Sequence, residues 1–376
     1  MWGKWTWVVA VKPLHDPVYL TVAFEQAGET GLSDRGFDLK YSREENPTVR
    51  LLEKKVASIE GGTDSLAFNS GMAAISALYI STLKAGEEVV LPMEGYGTTI
   101  QLAEELRKFG VRVKLAYPSS EALNEAITEN TRLVLTEVVT NPTLKVIDVP
   151  EVIRRAKEVG ATVVVDNTFS PLIFKPLKVR ADGVIHSLTK YIAGHNDVMG
   201  GALIWGDLDP ENLWHWRRRL GSIIQPFEAW LVIRGLKTLE LRFERQSRTA
   251  QTIAEFLSEH PKIEKVHYPG LKDDPYHPTA RRIFSKPLFG GVLSFLHREG
   301  ESGAKAFLMR LKRVFPSPSL GGVESLASYP VMSAAKTMPE ERRRLLGITP
   351  GLIRLSVGVE DADLLIEDID RALGGG

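Results

Sequence analysis

Between about residue 50 and residue 205 the chain repeats one pattern: a short apolar run, a turn, a helical segment, then another apolar run. The runs are Leu66 to Phe68, Val89 to Leu91, Leu133 to Val138, Thr162 to Val165, Gly183 to His186 and Ala202 to Trp205. Continuous apolar runs of this kind are strands buried on both faces, and such strands belong to a mainly parallel sheet with helices on both sides. The pattern predicts an α/β layer. One unit is legible in detail: Asp148 precedes Pro150 and Glu151 as a helix start, and Val152, Ile153, Ala156 and Val159 form an apolar stripe. Gly160 follows where a helix commonly ends in a left-handed residue.

The flanks read differently. Residues 1–45 show no sustained period and carry turn formers at Pro13, Pro17, Gly28, Gly31 and Gly36, so they are expected to form an arm that lies on something else. Residues 46–230 hold the α/β layer. From 231 to 376 the style changes to a long Arg- and Glu-rich helix from Gly235 to His260, strands around Gly291 to Phe295 and Leu352 to Val359, and a final helix from Asp361. That is a smaller, C-terminal α+β domain.

Charge and cysteine usage narrow the function. Lys plus Arg equal Asp plus Glu at 47 each, so the positive field that gathers nucleic acid or anionic lipid is missing. There is no cysteine, which removes disulfides, thiolate nucleophiles and thiolate metal sites and points to a cytoplasmic protein. Met1 to Val11 is aromatic but has no cleavage site, and no apolar run reaches the length of a membrane span.

Ligands of an open parallel sheet bind beyond the carboxyl ends of the strands, so polar residues directly after the runs are the ones to inspect. Three places stand out. After Leu66 to Phe68 the chain turns through Asn69, Ser70 and Gly71 into an Ala-rich helix, whose first N–H groups and positive dipole end suit a phosphate. After Val163 to Val165 stands Asp166, a carboxylate whose burial requires a cation or a hydrogen-bonding ligand. After Gly183 to Ile185 come His186, Ser187, Leu188, Thr189 and Lys190, two hydroxyls beside an amine. Singly, each has an ordinary reading as a turn, a helix cap or a surface lysine. Jointly they meet the needs of pyridoxal phosphate (PLP): a phosphate cradle, an acid to keep the pyridine nitrogen protonated, and a lysine to hold the aldehyde as a Schiff base.

Further segments extend this reading. They are Tyr41-Ser42-Arg43 with Asn46-Pro47-Thr48, Ser70-Gly71-Met72, Glu94-Gly95-Tyr96-Gly97, Thr140-Asn141-Pro142-Thr143, Val165-Asp166-Asn167-Thr168, Ser187-Leu188-Thr189-Lys190-Tyr191, Gly194-His195-Asn196-Asp197, Ser319 to Leu326 and Ile353 to Gly358. In these the chain resembles the Cys/Met metabolism PLP enzymes, from about Pro17 to about Asp368. That group includes cystathionine γ-synthase, cystathionine γ-lyase, methionine γ-lyase and O-acetylhomoserine sulfhydrylase.

The resemblance implies a PLP-dependent transferase fold of type I. It implies γ-elimination or γ-replacement on a sulfur amino acid or homoserine ester, in trans-sulfuration, by a carbon–sulfur lyase or homoserine-ester transferase. Gly71, Met72, Ser187 and Thr189 would hold the cofactor phosphate, joined by Tyr41 and Arg43 from a neighbouring subunit of a homo-oligomer, a dimer of dimers. Tyr96 would stack on the ring and serve with Lys190 in catalysis. Asp166 would meet the ring nitrogen, and Asn141 the ring hydroxyl and the substrate. Arg354, on a strand face shared with Ser356 and Gly358, would grip the substrate α-carboxylate with help from Ser319.

Departures from the pattern bear on the substrate. Lys40 replaces an acidic residue usual before the Tyr41 position, Glu44 stands where some synthases carry a basic one, and Thr98 replaces the cysteine of methionine γ-lyases. Ser328 takes the place of a lyase glutamate, and Met332-Ser333-Ala334-Ala335 the place of a Thr-His pair. Methionine γ-lyase and O-acetylhomoserine sulfhydrylase are the alternative activities; an aminotransferase of the same fold type or a non-enzymatic PLP-binding regulator ranks below them. No metal site is expected: His195 reads as a local hydrogen-bonding residue. Arg217 to Arg219 and Arg342 to Arg344 read as solvated helix faces or ion pairs at a subunit interface.

Overall fold

The apolar runs pair into one sheet. In the computed structural model the described residues are 14–25, 35, 40–206 and 208–374. Seven strands, β1 (Asp64–Phe68), β2 (Glu88–Pro92), β3 (Arg112–Ala116), β4 (Thr131–Glu137), β5 (Thr162–Asp166), β6 (Gly183–Ser187) and β7 (Gly201–Trp205), lie in the order β1-β7-β6-β5-β4-β2-β3. Pairs from β6 through β3 are parallel, while β7 runs antiparallel to both its neighbours.

Period-two alternation fills two cores, one on each face of this sheet. Val90, Val134, Val163, Val165, Val184 and Ala202 join helices Pro47–Glu60 and Val149–Glu158 in one core. Val89, Leu91, Leu133, Leu135, Val164, Ile185 and Leu203 join helix Gly71–Thr82 in the other. With both faces covered, polar strand ends are the natural places for a ligand. That is the α/β layer expected from the sequence.

A second, five-stranded sheet follows: β8 (Ile263–His267), β9 (Val292–His297), β10 (Phe315–Pro316), β11 (Leu326–Ser328) and β12 (Leu352–Ser356), in the order β10-β11-β12-β9-β8. It is antiparallel apart from the β10–β11 pair. Helix Ala362–Leu373 closes the chain, capped by the Asp361 carboxylate accepting the Asp363 N–H. No described helix is long and apolar enough to cross a membrane.

Two local expectations need correction, while the helix start read at Asp148 holds. Asp148 is the N-cap residue of helix Val149–Glu158, and its carboxylate pairs with Arg282. Gly160 does take the left-handed conformation, φ +71°. The expected helix Gly235 to His260 is two helices, Pro226–Leu236 and Leu239–Glu259. Arg242 sets the break by donating to the carbonyls of Gly235 (2.9 Å) and Tyr191 (2.8 Å). Arg217 is not solvated: it is 1% exposed and pairs with Glu53, because only one of three consecutive helical residues faces the same way.

Residues 1–13, 26–34 and 36–39 of the expected arm, with Pro13, Gly28, Gly31 and Gly36, lie outside the described residues. Its described parts run back along the body: Tyr19 N–H donates to Thr48 Oγ1 (2.9 Å) and Ala23 bridges Tyr41.

Candidate active site

The carboxyl ends of β4, β5 and β6 carry Glu137, Asp166 and Ser187 to one edge of the large sheet. There they face a cavity of about 630 Å³ whose other wall comes from the second sheet and its loops.

The phosphate end follows from the turn after β1. The Ser70 hydroxyl accepts the Ala73 N–H (3.1 Å), which starts helix Gly71–Thr82 at the cavity. Glycine at 71 keeps the gap between helix start and strand end open: a Cβ there would stand 3.2 Å from Ser187 Cβ, a tight contact. Gly71, Met72, Ser187 and Thr189 all line this end. The Thr189 hydroxyl accepts the Gly200 N–H (3.0 Å), which fixes its rotamer.

Asp166 sits on the cavity floor. Its Oδ1 accepts the Thr168 N–H (3.0 Å), and Thr168 Oγ1 in turn accepts the Ser187 N–H (2.9 Å), so the ends of β5 and β6 are tied together. Burial raises the Asp166 pKa, with the Thr168 hydrogen bonds pulling the other way. Such a carboxylate gains most from a cationic partner. A protonated ring nitrogen supplies one.

Lys190 and Arg354 meet across the cavity through Ser319. Lys190 Nζ donates to Ser319 Oγ (2.8 Å), and Arg354 Nη2 donates to the Ser319 carbonyl (2.8 Å). Ser319 holds φ +91°, a left-handed conformation costly for a residue with a side chain and typical of functional sites. The Ser356 hydroxyl secures that loop by accepting the Gly321 N–H (2.9 Å), so the face that Arg354 shares with Ser356 is used by both. Across the strands Arg354 opposes Ser294 and Ser328; its face is lined by small residues and is buried, at 5% exposure. Arg354 Nη1 donates to Asn141 Oδ1 (2.9 Å), whereas its buried Nε has no partner among the described residues. Burial lowers Lys190 to about 8, with the Arg354 charge adding to it, and lowers Arg354 to about 10.

Tyr96 stands at the start of helix Gly97–Glu105 with its side chain half exposed at the cavity. Its loop is clamped from both sides. Glu94 accepts the Thr143 N–H (2.7 Å) and pairs with Lys145 (2.7 Å), which also donates to the Leu346 carbonyl (3.0 Å). Glu137 accepts the Tyr96 N–H (2.6 Å).

Of the residues expected at the site, Gly71, Met72, Tyr96, Asn141 and Asp166 line this cavity, as do Ser187, Thr189, Lys190, Ser319 and Arg354. Tyr41 and Arg43 do not: both are exposed, Arg43 lies 5.4 Å from the Tyr41 ring and donates to the Arg218 carbonyl (3.2 Å). His195 makes the expected local bond, to the Ala193 carbonyl (2.6 Å). Glu137 escaped the sequence reading, although a carboxylate inside the apolar run Leu133 to Val138 is the same signal that exposed Asp166.

The cavity fits PLP on its own geometry: a glycine-opened helix start beside two hydroxyls, a half-buried acid on the floor, a lysine of lowered pKa, and a buried guanidinium with a spare donor. Comparison with known proteins agrees. The model of the family described as Cys/Met metabolism PLP-dependent enzyme matches residues 10–374. The chain is 38% identical over 366 residues to L-methionine γ-lyase of Pseudomonas putida, covering 95% of this chain and 92% of that one. It is 40% identical over 363 residues to cystathionine γ-lyase of Bacillus subtilis, covering 95% and 93%. Among solved structures, cystathionine γ-synthase from Xanthomonas oryzae pv. oryzae superposes with a TM-score of 0.90 at 38% identity, covering 96% of this chain and 92% of that one. The protein therefore belongs to the Cys/Met metabolism family of PLP-dependent enzymes.

Proposed function

We propose that this enzyme catalyses γ-elimination or γ-replacement on an amino acid bearing sulfur or an ester oxygen at Cγ, cystathionine γ-lyase- or γ-synthase-like, in trans-sulfuration. The observation that carries this is the convergence of Lys190, Arg354 and Tyr96 on one cavity above Asp166. The relatives named for cystathionine and methionine chemistry support it.

PLP, when bound, supplies the electron sink that makes protons on the substrate carbons acidic. Gly71, Met72, Ser187 and Thr189 would hold its phosphate, Asp166 the ring nitrogen, and Asn141 the ring hydroxyl. Arg354 and Ser319 bind and orient the substrate α-carboxylate, the spare Nε of Arg354 being the donor still open. Lys190 Nζ, its pKa lowered to about 8 by burial and the Arg354 charge, takes the Cα proton and moves protons along the same face. The Tyr96 hydroxyl donates a proton to the departing sulfur or oxygen. Elimination and replacement share these movements and differ in whether water or a thiol arrives next.

The exposed Tyr41 and Arg43 are assigned to the phosphate site of a second copy, which makes the working unit a homo-oligomer, a dimer of dimers. Neutral net charge and the lack of cysteine support a cytoplasmic enzyme. The test incubates purified holoenzyme with cystathionine, with methionine, and with homoserine esters plus cysteine, scoring 2-oxobutanoate and thioether. Failure to turn over any of them would overturn the reading.

A further inference from the structure

Glu137 and Asp166 end adjacent parallel strands and are direct partners in the register, so two carboxylates stand side by side on the cavity floor. Neighbouring strands lie about 4.8 Å apart, and equivalent side chains of parallel partners share a face. Glu94, itself paired with Lys145, also acts on Glu137 from the neighbouring loop. Against these charges Glu137 has one hydrogen-bond partner among the described residues, a neutral donor: Tyr96 N–H, 2.6 Å from Oε1. Its Oε2 is buried and has no partner among the described residues. Of the cations that line the same cavity, Lys190 and Arg354 are engaged by Ser319 and by Asn141, and Lys336 stands exposed at its rim. Nor is the closeness to Tyr96 incidental. A Cβ at position 95 would come within 2.6 Å of Glu137 Oε1, so Gly95 lets the loop settle on the carboxyl group.

We propose that Glu137 is a positioning residue that works as a neutral carboxylic acid, its carbonyl oxygen Oε1 holding the Tyr96 backbone at the cavity and its protonated Oε2 lying against Asp166 and the cavity floor. Two adjacent, partly buried carboxylates at one cavity floor do not both ionise without cations to match, and one of them keeps its proton. Asp166 is the one that stays charged, a point that rests on the cofactor reading given above, because a protonated ring nitrogen needs an anion. The proton therefore resides on Glu137, on the oxygen that no donor occupies. Burial first, and Asp166 second, push the Glu137 pKa well above the ordinary carboxylate range.

The experiment compares the holoenzyme with Glu137→Gln, Glu137→Ala and Tyr96→Phe. Glutamine is an uncharged isostere with a carbonyl for Tyr96 N–H and an N–H for the floor; it should keep kcat within about threefold of the parent, while Glu137→Ala, by misplacing Tyr96, should lower kcat on the order of 10²-fold with KM little changed. Adding Glu137→Ala to Tyr96→Phe should cost far less than it does alone, since both act through one ring. A second readout needs no turnover: infrared difference spectra between parent and Glu137→Gln should show loss of a protonated-carboxyl carbonyl stretch at pH 7. Absence of that band, or glutamine as damaging as alanine, would overturn the neutral acid, and full additivity with Tyr96→Phe would overturn the link to Tyr96. A colourless parent protein after addition of PLP would instead strike the cofactor reading, leaving the infrared result to decide Glu137 by itself.

Discussion

Ser319 connects Lys190 to Arg354: its hydroxyl accepts from the lysine amine and its carbonyl from the guanidinium, each at 2.8 Å. The amine is thus held near a fixed positive charge. Burial and that charge together lower Lys190 to about 8.

A pH dependence follows for the apoenzyme. Only the unprotonated amine attacks an aldehyde, so the rate of PLP uptake should rise with pH and level off above about 8. Stopped-flow absorbance in the visible imine band measures it. Lys190→Ala should bind PLP without developing that band. Arg354→Ala, which removes the smaller of the two causes, should move the midpoint upward, toward an ordinary lysine. A midpoint unchanged in Arg354→Ala would mean that the charge across Ser319 is not felt.

Arg354 itself should govern substrate binding. Arg354→Ala would remove the proposed carboxylate grip and leave Asn141 Oδ1 and the Ser319 carbonyl without their donor, so KM should rise by about ten- to a hundredfold, the equivalent of a lost charged hydrogen bond. Arg354→Lys should recover little of this, since an ammonium does not span two acceptors with a planar fork. Steady-state kinetics with cystathionine check both, and a change confined to kcat would argue against a binding role.

The Glu94–Lys145 pair is predicted to support stability and the site together. Side-chain exposure is 0% for Glu94 and 7% for Lys145, and the pair links the Tyr96 loop, the Asn141 loop and the carbonyl of Leu346 in helix Glu340–Leu346. Lys145→Ala leaves a buried carboxylate uncompensated and should cost about 3–5 kcal/mol in urea unfolding. Replacing both partners, Glu94→Leu with Lys145→Met, should restore much of that loss. Tyr96 would still be less well placed in the double variant, so stability should recover further than kcat does. Equal recovery of both would separate the pair from the site.

What the sequence discloses of this molecule depends on how local the controlling force is. The strands of the large sheet and the polar residues Asp166 and Ser187 at their ends are written in short contiguous runs, because burial on both faces leaves no freedom in composition. The break between helices Pro226–Leu236 and Leu239–Glu259 is not, because the Arg242 side chain that caps the Gly235 carbonyl also reaches Tyr191, far away in the chain. Arg217 looks like one of three surface arginines until Glu53, brought to it by folding, takes its charge. Glu137 and the Glu94–Lys145 pair belong to the same class. Their chemistry arises from partners across strands or loops, and only the anomaly of a charge within an apolar run marks the first of them. By contrast, the Ser319 backbone strain and the closure of the Arg354 face by Asn141 require the second sheet to be docked, and no local pattern encodes either.

The assignment of Tyr41 and Arg43 to another copy makes the sharpest prediction about assembly. Both are exposed, and neither reaches the cavity of its own chain. Each active site would then draw its lysine from one chain and its Arg43 from another. Arg43→Ala and Lys190→Ala should each lower activity strongly as pure proteins, the first chiefly through weaker PLP retention and the second by loss of the essential amine. Mixed under conditions of subunit exchange, they form hybrids in which one site carries both defects and the other carries both native groups. Activity should return to about a quarter of the native level for a statistical mixture, where half the dimers are hybrids with one intact site of two. Native mass spectrometry of differently tagged chains verifies exchange. Hybrids that are present yet inactive would place Arg43 outside the shared site and remove the reason for the arm to contact a neighbour.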